Sequence, residues 1–208
     1  MDSSKLKPGE WAVLLFTVLY VAVFFTYFLS IGNYEFIWYV LTLVGLAGLV
    51  TLTRKTAALP AAILWALSVW GLVHMAGGGV TVGGGVLYNY IVLPVTADGE
   101  ISLLKFDQLV HFYGFAVTAW LLWHLLHVNF PDLRGTATIH VYPALGSMGL
   151  GALNEMIEFS AVLLFPDTNV GGYFNTAMDL VFNALGAATA MAVIFLVQRR
   201  TSGKKDAG

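Results

Sequence analysis

The chain has 208 residues, of which 58% are hydrophobic and only 11% are charged, and its net charge is −2. Soluble domains carry about 25% charged residues, so this composition excludes a soluble enzyme, a disordered protein and a nucleic-acid-binding protein. The absence of cysteine excludes disulfides and thiolate metal sites. Together with a mean hydropathy of +0.78, these values are typical of a polytopic membrane protein.

Six stretches are apolar enough to cross a bilayer, which takes about 20 residues of helix. They cover residues 11–31, 35–53, 58–76, 107–128, 140–165 and 174–198. No cleavage site follows the first stretch, so we predict a helix there rather than a signal peptide. The predicted fold class is all-α, a bundle of six transmembrane helices that forms a single membrane domain over residues 1–208.

The basic residues predict the orientation of the chain. With the N-terminus in the cytoplasm, every Lys and Arg except Lys105 lies on the cytoplasmic side, as the positive-inside rule expects. Both termini are then cytoplasmic, and the protein lies in the plasma or inner membrane, surrounded by lipid. Residues 77–106 become one long, Gly-rich outer segment. The sequence leaves open whether this segment is a loose connector, lies in the interface or re-enters the membrane.

Small residues predict where helices approach each other closely. We expect spans 5 and 6 to pack tightly, because each carries several small residues: Gly146, Ser147, Gly149 and Gly151 in span 5, and Gly186, Ala187 and Ala190 in span 6. Spans 1 and 2 carry no buried charge apart from Glu35, which we place at an interface, and we predict a scaffolding role for both.

Ionisable residues inside spans are costly in lipid and mark functional sites by default. Most of them here form polar pairs at helical spacing, one on each of the last three spans: Asp107 and His111, Glu155 and Glu158, Asp179 and Asn183. Side chains three or four residues apart share one face of a helix. The predicted topology places all three pairs in the outer half of the membrane, where we expect them to line one cavity with His74 near its edge.

The carboxylates of these pairs have no Lys or Arg beside them within the spans. Carboxylates close together at low dielectric cannot all ionise unless protons, a metal or a cationic ligand compensate them. With histidine they form an oxygen-and-nitrogen ligand set that suits Zn, Mn, Fe or Mg. The predicted metal ligands are Asp107, His111, Glu155, Glu158 and Asp179. The residues predicted to surround the ligands or contact a substrate are His74, Asn154, Asn175 and Asn183.

Two other interpretations of these residues stay open. One is a water-filled polar cavity for transport or proton coupling, and the other is a structural hydrogen-bond network between helices. Carboxylates that recur in pairs argue against the network, because one polar residue per helix would suffice for it. His124, His127 and His140 are predicted to lie at the inner interface, near lipid headgroups.

Several segments resemble the YjdF-like family of multi-span inner-membrane proteins and, more distantly, the VanZ-like family. They are HMAGG at 74–78, LYNY at 87–90, FDQLVHF at 106–112, NEMIEF at 154–159, and Asp179 with Asn183 and Gly186. The resemblance implies a multi-span membrane protein without an established activity. Through the VanZ-like family it implies a link to resistance against a glycopeptide antibiotic. YjdF-like proteins often carry acidic residues before the last span, whereas this chain has GGYFNT at 171–176.

The sequence therefore predicts a membrane protein with an outward-facing acidic and histidine site. We expect this site to bind a divalent metal and to act on a lipid or lipid-linked envelope substrate, with a carboxylate as general base to a metal-bound water. The alternatives are a small cation- or proton-coupled transporter and a non-catalytic envelope or assembly factor. The sequence does not decide whether the protein is an enzyme, and it leaves a homo-oligomer open.

Overall fold

The computed structural model describes residues 6–94, 102–165 and 167–205. In these ranges the chain forms six helices: α1 (Pro8–Ser30), α2 (Tyr34–Thr53), α3 (Ala61–Gly79), α4 (Phe106–Asn129), α5 (Thr138–Leu164) and α6 (Tyr173–Lys205). Two short 3₁₀ turns, Leu87–Asn89 and Pro131–Leu133, and two small hairpins lie between helices. The helices confirm the all-α class.

Five of these helices are long and apolar enough to cross a membrane, namely α1, α2, α3, α4 and the part of α6 from Tyr173 to Thr201. Large apolar side chains point outward from them, since Leu19 is 66% exposed and Leu52 is 82% exposed. Such surfaces suit contact with lipid rather than with water. Helix α5 is not among the five, and it carries Glu155 and Glu158. The sixth span and the orientation stay predictions.

The outer segment between α3 and α4 contains more regular structure than its glycines suggest. The last turn of α3 includes the glycines from Gly77 to Gly79. Strands β1 (Thr81–Val82) and β2 (Gly85–Val86) form a hairpin whose turn has positive φ at Gly83 and Gly84, a conformation that favours glycine. Strand β3 (Ile91–Pro94) pairs with β4 (Ser102–Lys105) in antiparallel register. The remainder of this predicted segment, residues 95–101, lies outside the described residues.

The chain divides into two compact units. Unit 1 comprises residues 1–110 and 158–170, and unit 2 comprises residues 111–157 and 171–208. In unit 1, helix α3 packs against its neighbours through its last glycines. A Cβ atom on Gly78 would lie 1.8 Å from the Phe36 ring, so only glycine lets this ring lie against the α3 backbone. The single domain predicted for the whole chain stays a prediction.

Unit 2 is built from α4, α5 and α6 around a small apolar core of Ala119, Ala187 and Met191. Helices α4 and α6 approach most closely at Gly186, where a Cβ atom would lie 2.1 Å from the Phe112 carbonyl oxygen. The close contact expected at Gly186 is therefore present, with α4 as its partner. The expected close approach of α5 and α6 occurs at Gly151, where a Cβ atom would lie 2.7 Å from the Asn183 amide nitrogen. The expectation for Gly149 is wrong, because nothing lies within 4 Å of a Cβ atom placed there.

Candidate metal centre and a second polar cluster

His111 lies at the centre of a polar group inside unit 2. Its side chain is buried on α4, and it faces the buried Asn183 of α6. The His111 Nδ1 atom is 3.0 Å from Asn183 Oδ1 and 3.6 Å from Glu155 Oε1. Three helices of one unit thus bring together an imidazole, an amide and a carboxylate that are far apart in sequence.

Glycines on two helices make this approach possible, because they carry no side chain. Gly186 follows Asn183 by about one turn of α6 and touches the backbone of Phe112, the residue after His111. On α5, a Cβ atom at Gly151 would lie 2.7 Å from the Asn183 amide nitrogen. A larger residue at either glycine would therefore push Asn183 away from His111.

The hydrogen bond to Asn183 determines the tautomer of His111. Since an amide oxygen only accepts hydrogen bonds, His111 Nδ1 carries the proton and donates it to Asn183 Oδ1. The lone pair of the neutral ring then lies on Nε2. Histidines that bind metals usually have this arrangement, in which one nitrogen donates to a neighbouring group and the other is the ligand.

Two carboxylates of unit 2 lie within ligand-bridging distance of His111. Ligand atoms of His111 and Asp179 lie within 4.8 Å of each other, and so do those of His111 and Glu155. Asp179 is fully buried and accepts a hydrogen bond of 2.6 Å from the Asn175 amide nitrogen, which orients its carboxylate. This buried Asp, His and Glu group could hold a metal ion.

Unit 1 contains a second group of polar residues, which we call the Tyr39 cluster: Glu35, Tyr39, Asp107, Glu158 and Asn169. Glu35 is 4% exposed and accepts hydrogen bonds from the Asn169 backbone N–H at 2.8 Å and from its amide nitrogen at 3.1 Å. The Tyr39 hydroxyl donates to Glu35 at 3.5 Å. Asp107 and Glu158 act electrostatically on the same tyrosine. Hydrogen bonds therefore join Glu35, Tyr39 and Asn169, and the negative charges of Asp107 and Glu158 act on the same tyrosine.

His74 belongs to the surroundings of this cluster in unit 1. The Tyr88 hydroxyl is 2.5 Å from His74 Nδ1 and 2.9 Å from the His74 carbonyl oxygen. The rings of His74 and Tyr39 meet edge to face, with 5.8 Å between centroids. A Cβ atom at Gly77 would lie 2.5 Å from the Tyr88 ring, so this glycine makes room for the tyrosine.

The structure divides the predicted site residues between the two units. His111, Glu155, Asp179, Asn175 and Asn183 come together in unit 2, whereas Asp107, Glu158 and His74 lie in unit 1. Within the helices, Asp107 precedes His111 by one turn of α4, and Glu158 follows Glu155 by about one turn of α5. Asn154 is half-buried on α5. One cavity that joins all five predicted ligands stays a prediction.

Sequence reasoning placed Glu35 at an interface without a partner and missed Tyr39 and Asn169. In the structure Glu35 is buried and binds a residue 134 positions away in the chain, while the scaffolding role of span 2 stays a prediction. A signal for Tyr39 was present, since Glu35 and Tyr39 have the same four-residue spacing as Asp107 and His111. The partner Asn169, in the connection between α5 and α6, had no comparable signal.

The apolar helices and their buried acidic and histidine groups define a multi-pass membrane protein. Residues 12–200, nearly the whole chain, match the family described as "Predicted membrane protein (DUF2238)", and the chain belongs to this family. The YjdF-like proteins belong to the same family, whereas the match carries no link to the VanZ-like family. No curated protein and no solved structure matches the chain significantly.

Proposed function

We propose that this protein binds a divalent metal ion through His111, Glu155 and Asp179. The observation that carries the proposal is the orientation of the buried His111, whose Nδ1 donates to Asn183 while carboxylates of α5 and α6 lie within ligand-bridging distance. Up to residue 198, the helices α4, α5 and α6 themselves contain no Lys or Arg. A metal cation would supply that charge.

Helix periodicity adds two further candidate ligands. Asp107 and Glu158 follow the same faces of α4 and α5 as His111 and Glu155. Oxygen and nitrogen ligands of this kind favour Zn, Mn, Fe or Mg. When bound, such an ion would act as a Lewis acid and activate a water. There Asn183 would keep the proton on His111 Nδ1, and whichever of Asp107 and Glu158 did not bind the ion would be placed to accept a proton from the water.

We further propose that the substrate is a lipid or a lipid-linked envelope compound. His111 is five residues from the start of α4, which places it about 8 Å along a helix that rises 1.5 Å per residue. With the start of α4 at the membrane surface, as the predicted topology has it, this position corresponds to the boundary between headgroups and acyl chains. An amphiphilic substrate reaches such a depth from the bilayer without leaving it, which supports a lipid substrate over a water-soluble one.

Metal content of the purified full-length protein tests the proposal. We expect the parent protein, stripped with chelator and reloaded, to bind Zn or Mn tightly by elemental analysis. His111→Ala and Glu155→Gln should lose the ion while circular dichroism and gel filtration show a folded protein. Asp132→Asn is the matched control, because this carboxylate of unit 2 is exposed. A parent that takes up no metal, or a control that loses as much as Glu155→Gln, would contradict the proposal.

The Tyr39 cluster favours a second candidate function, a cation- or proton-coupled transporter. Three carboxylates around a tyrosine hydroxyl can exchange protons or bind a cation in the membrane. If this candidate is correct, the parent protein binds no divalent metal, and proteoliposomes show a cation or proton flux that Glu158→Gln abolishes. A protein with neither property would fit the third candidate, an envelope or assembly factor.

A further inference from the structure

A groove between α5 and α6 lies far from the candidate metal centre. Its walls come from the first turns of α5 and the second half of α6, with Val141, Ala144 and Leu145 on one side and Met191, Ala192 and Phe195 on the other. His140 borders the same groove. From Glu155 to His140 the distance along α5 is about 22 Å at 1.5 Å per residue. The groove is therefore a separate feature of unit 2.

The walls of the groove are apolar, and its mouth is basic. The guanidinium of Arg199 lies 5.2 Å above the Phe195 ring, one helical turn away on α6. The His140 ring meets Phe195 edge to face, with 5.5 Å between centroids. One aromatic ring thus holds a permanent cation and an imidazole at the same end of the groove.

Among the residues that the structure describes, neither Arg199 nor His140 forms an ion pair with a carboxylate. The Nδ1 atom of His140 is buried, which leaves Nε2 as the ring nitrogen that can meet a ligand in the groove. An apolar groove that ends at a guanidinium is complementary to an amphiphilic anion.

We propose that this groove binds an anionic phospholipid. Its acyl chain lies along Val141, Leu145 and Ala192, and its phosphate meets Arg199 and His140. Arginine suits this role because its planar guanidinium pairs with two phosphate oxygens at once. Basic pockets between transmembrane helices are a recurrent means of holding anionic headgroups. The site does not depend on a metal at His111.

Lipid titrations of the full-length protein in detergent, followed by native mass spectrometry, test this proposal. The probes are phosphatidylglycerol and phosphatidylcholine with identical acyl chains. We expect the parent protein to retain phosphatidylglycerol more tightly. Arg199→Gln should weaken phosphatidylglycerol binding about fivefold, the effect of one cation near a phosphate. It should weaken phosphatidylcholine less, because the choline cation beside that phosphate opposes the guanidinium in the parent. Arg200→Gln is the matched control and should bind like the parent: neither arginine lines the groove, but Arg199 is the one whose guanidinium lies over Phe195, which does.

Two further variants separate the headgroup contact from the acyl-chain contact. His140→Phe keeps the aromatic packing on Phe195 but removes the ring nitrogens, so it should weaken phosphatidylglycerol more than phosphatidylcholine. Ala192→Leu fills the groove and should weaken both lipids. Equal affinity of the parent for the two lipids would overturn the proposal, as would equal losses for Arg199→Gln and Arg200→Gln, which indicate a diffuse surface charge. A groove closed by a second copy of the chain, with no lipid retained, would also overturn it.

Discussion

His111 and Asn183 show how a single hydrogen bond can prepare a metal ligand. The amide of Asn183 is not expected to bind the ion itself, because its oxygen is occupied by the proton on His111 Nδ1. Its contribution is to keep the imidazole in one tautomer and one orientation. The role of Asn183 is thus separable by mutation from that of the ligands.

We predict that Asn183→Ala lowers metal affinity about 10- to 100-fold without abolishing binding, since neighbours that orient a ligand typically contribute this much. Competition with a chelator of known affinity measures the change. Asn129→Ala serves as the control, because Asn129 donates only to the Leu125 carbonyl oxygen at the other end of α4. Unchanged affinity in Asn183→Ala would mean that His111 is not a ligand through Nε2.

A second prediction concerns the buried Glu35. Glu35→Ala removes the acceptor of both Asn169 hydrogen bonds and should destabilise the protein by about 1–3 kcal/mol, the net contribution of two hydrogen bonds. Hydrogen exchange should also lose protection at the Asn169 amide. Asp132→Ala is the control, because this carboxylate is exposed and its loss should change stability by no more than about 0.5 kcal/mol. Protection that persists at Asn169 would contradict the assigned contact.

At the scale of helices, glycines decide how α4, α5 and α6 meet in unit 2. Gly186 allows α6 to lie against the backbone of α4, and Gly151 admits the Asn183 side chain to the surface of α5. The sequence shows many small residues in spans 5 and 6 but not which of them face another helix. That choice depends on the rotation of each helix about its axis.

Gly186→Leu and Gly149→Leu form a matched pair that tests these helix contacts. Gly186→Leu should destabilise the protein by about 1–3 kcal/mol or more, because the new side chain collides with the Phe112 backbone, which cannot rotate away. Gly149→Leu should leave stability unchanged or improve it by up to about 1 kcal/mol, since leucine favours a helix and space is open there. Melting temperature and folded yield in detergent measure both. Similar yields for the two variants would mean that the α4–α6 contact is wrong.

For the whole molecule, the number of spans decides on which side the termini lie. Six spans put both termini in the cytoplasm, whereas five would place them on opposite sides. We predict that reporters fused before Met1, inserted within 129–138 and fused after Gly208 all report the cytoplasm, and that one inserted at 96–100 reports the outside. Residues 96–100 and Gly208 lie outside the described residues. A C-terminal reporter on the outer side would exclude α5 as a span and move the polar pairs to different depths.

The sequence by itself determined the membrane class, the positions of the six helices and the spacing of the polar pairs. These properties are local, since composition and helical periodicity are read from neighbouring residues. It also identified His111, Glu155, Asp179 and Asn183 as candidates, because ionisable and amide groups in apolar helices stand out.

The tertiary structure alone decided which of these residues meet. His111 reaches Asn183 across 72 positions of the chain, and Glu35 reaches Asn169 across 134. Such contacts depend on where glycines let helices approach and on how each helix is rotated, and neither is encoded in the local pattern of a single segment. For the same reason, the structure was needed to show that Gly186 lies against another helix and Gly149 does not, although the two residues look alike in the sequence.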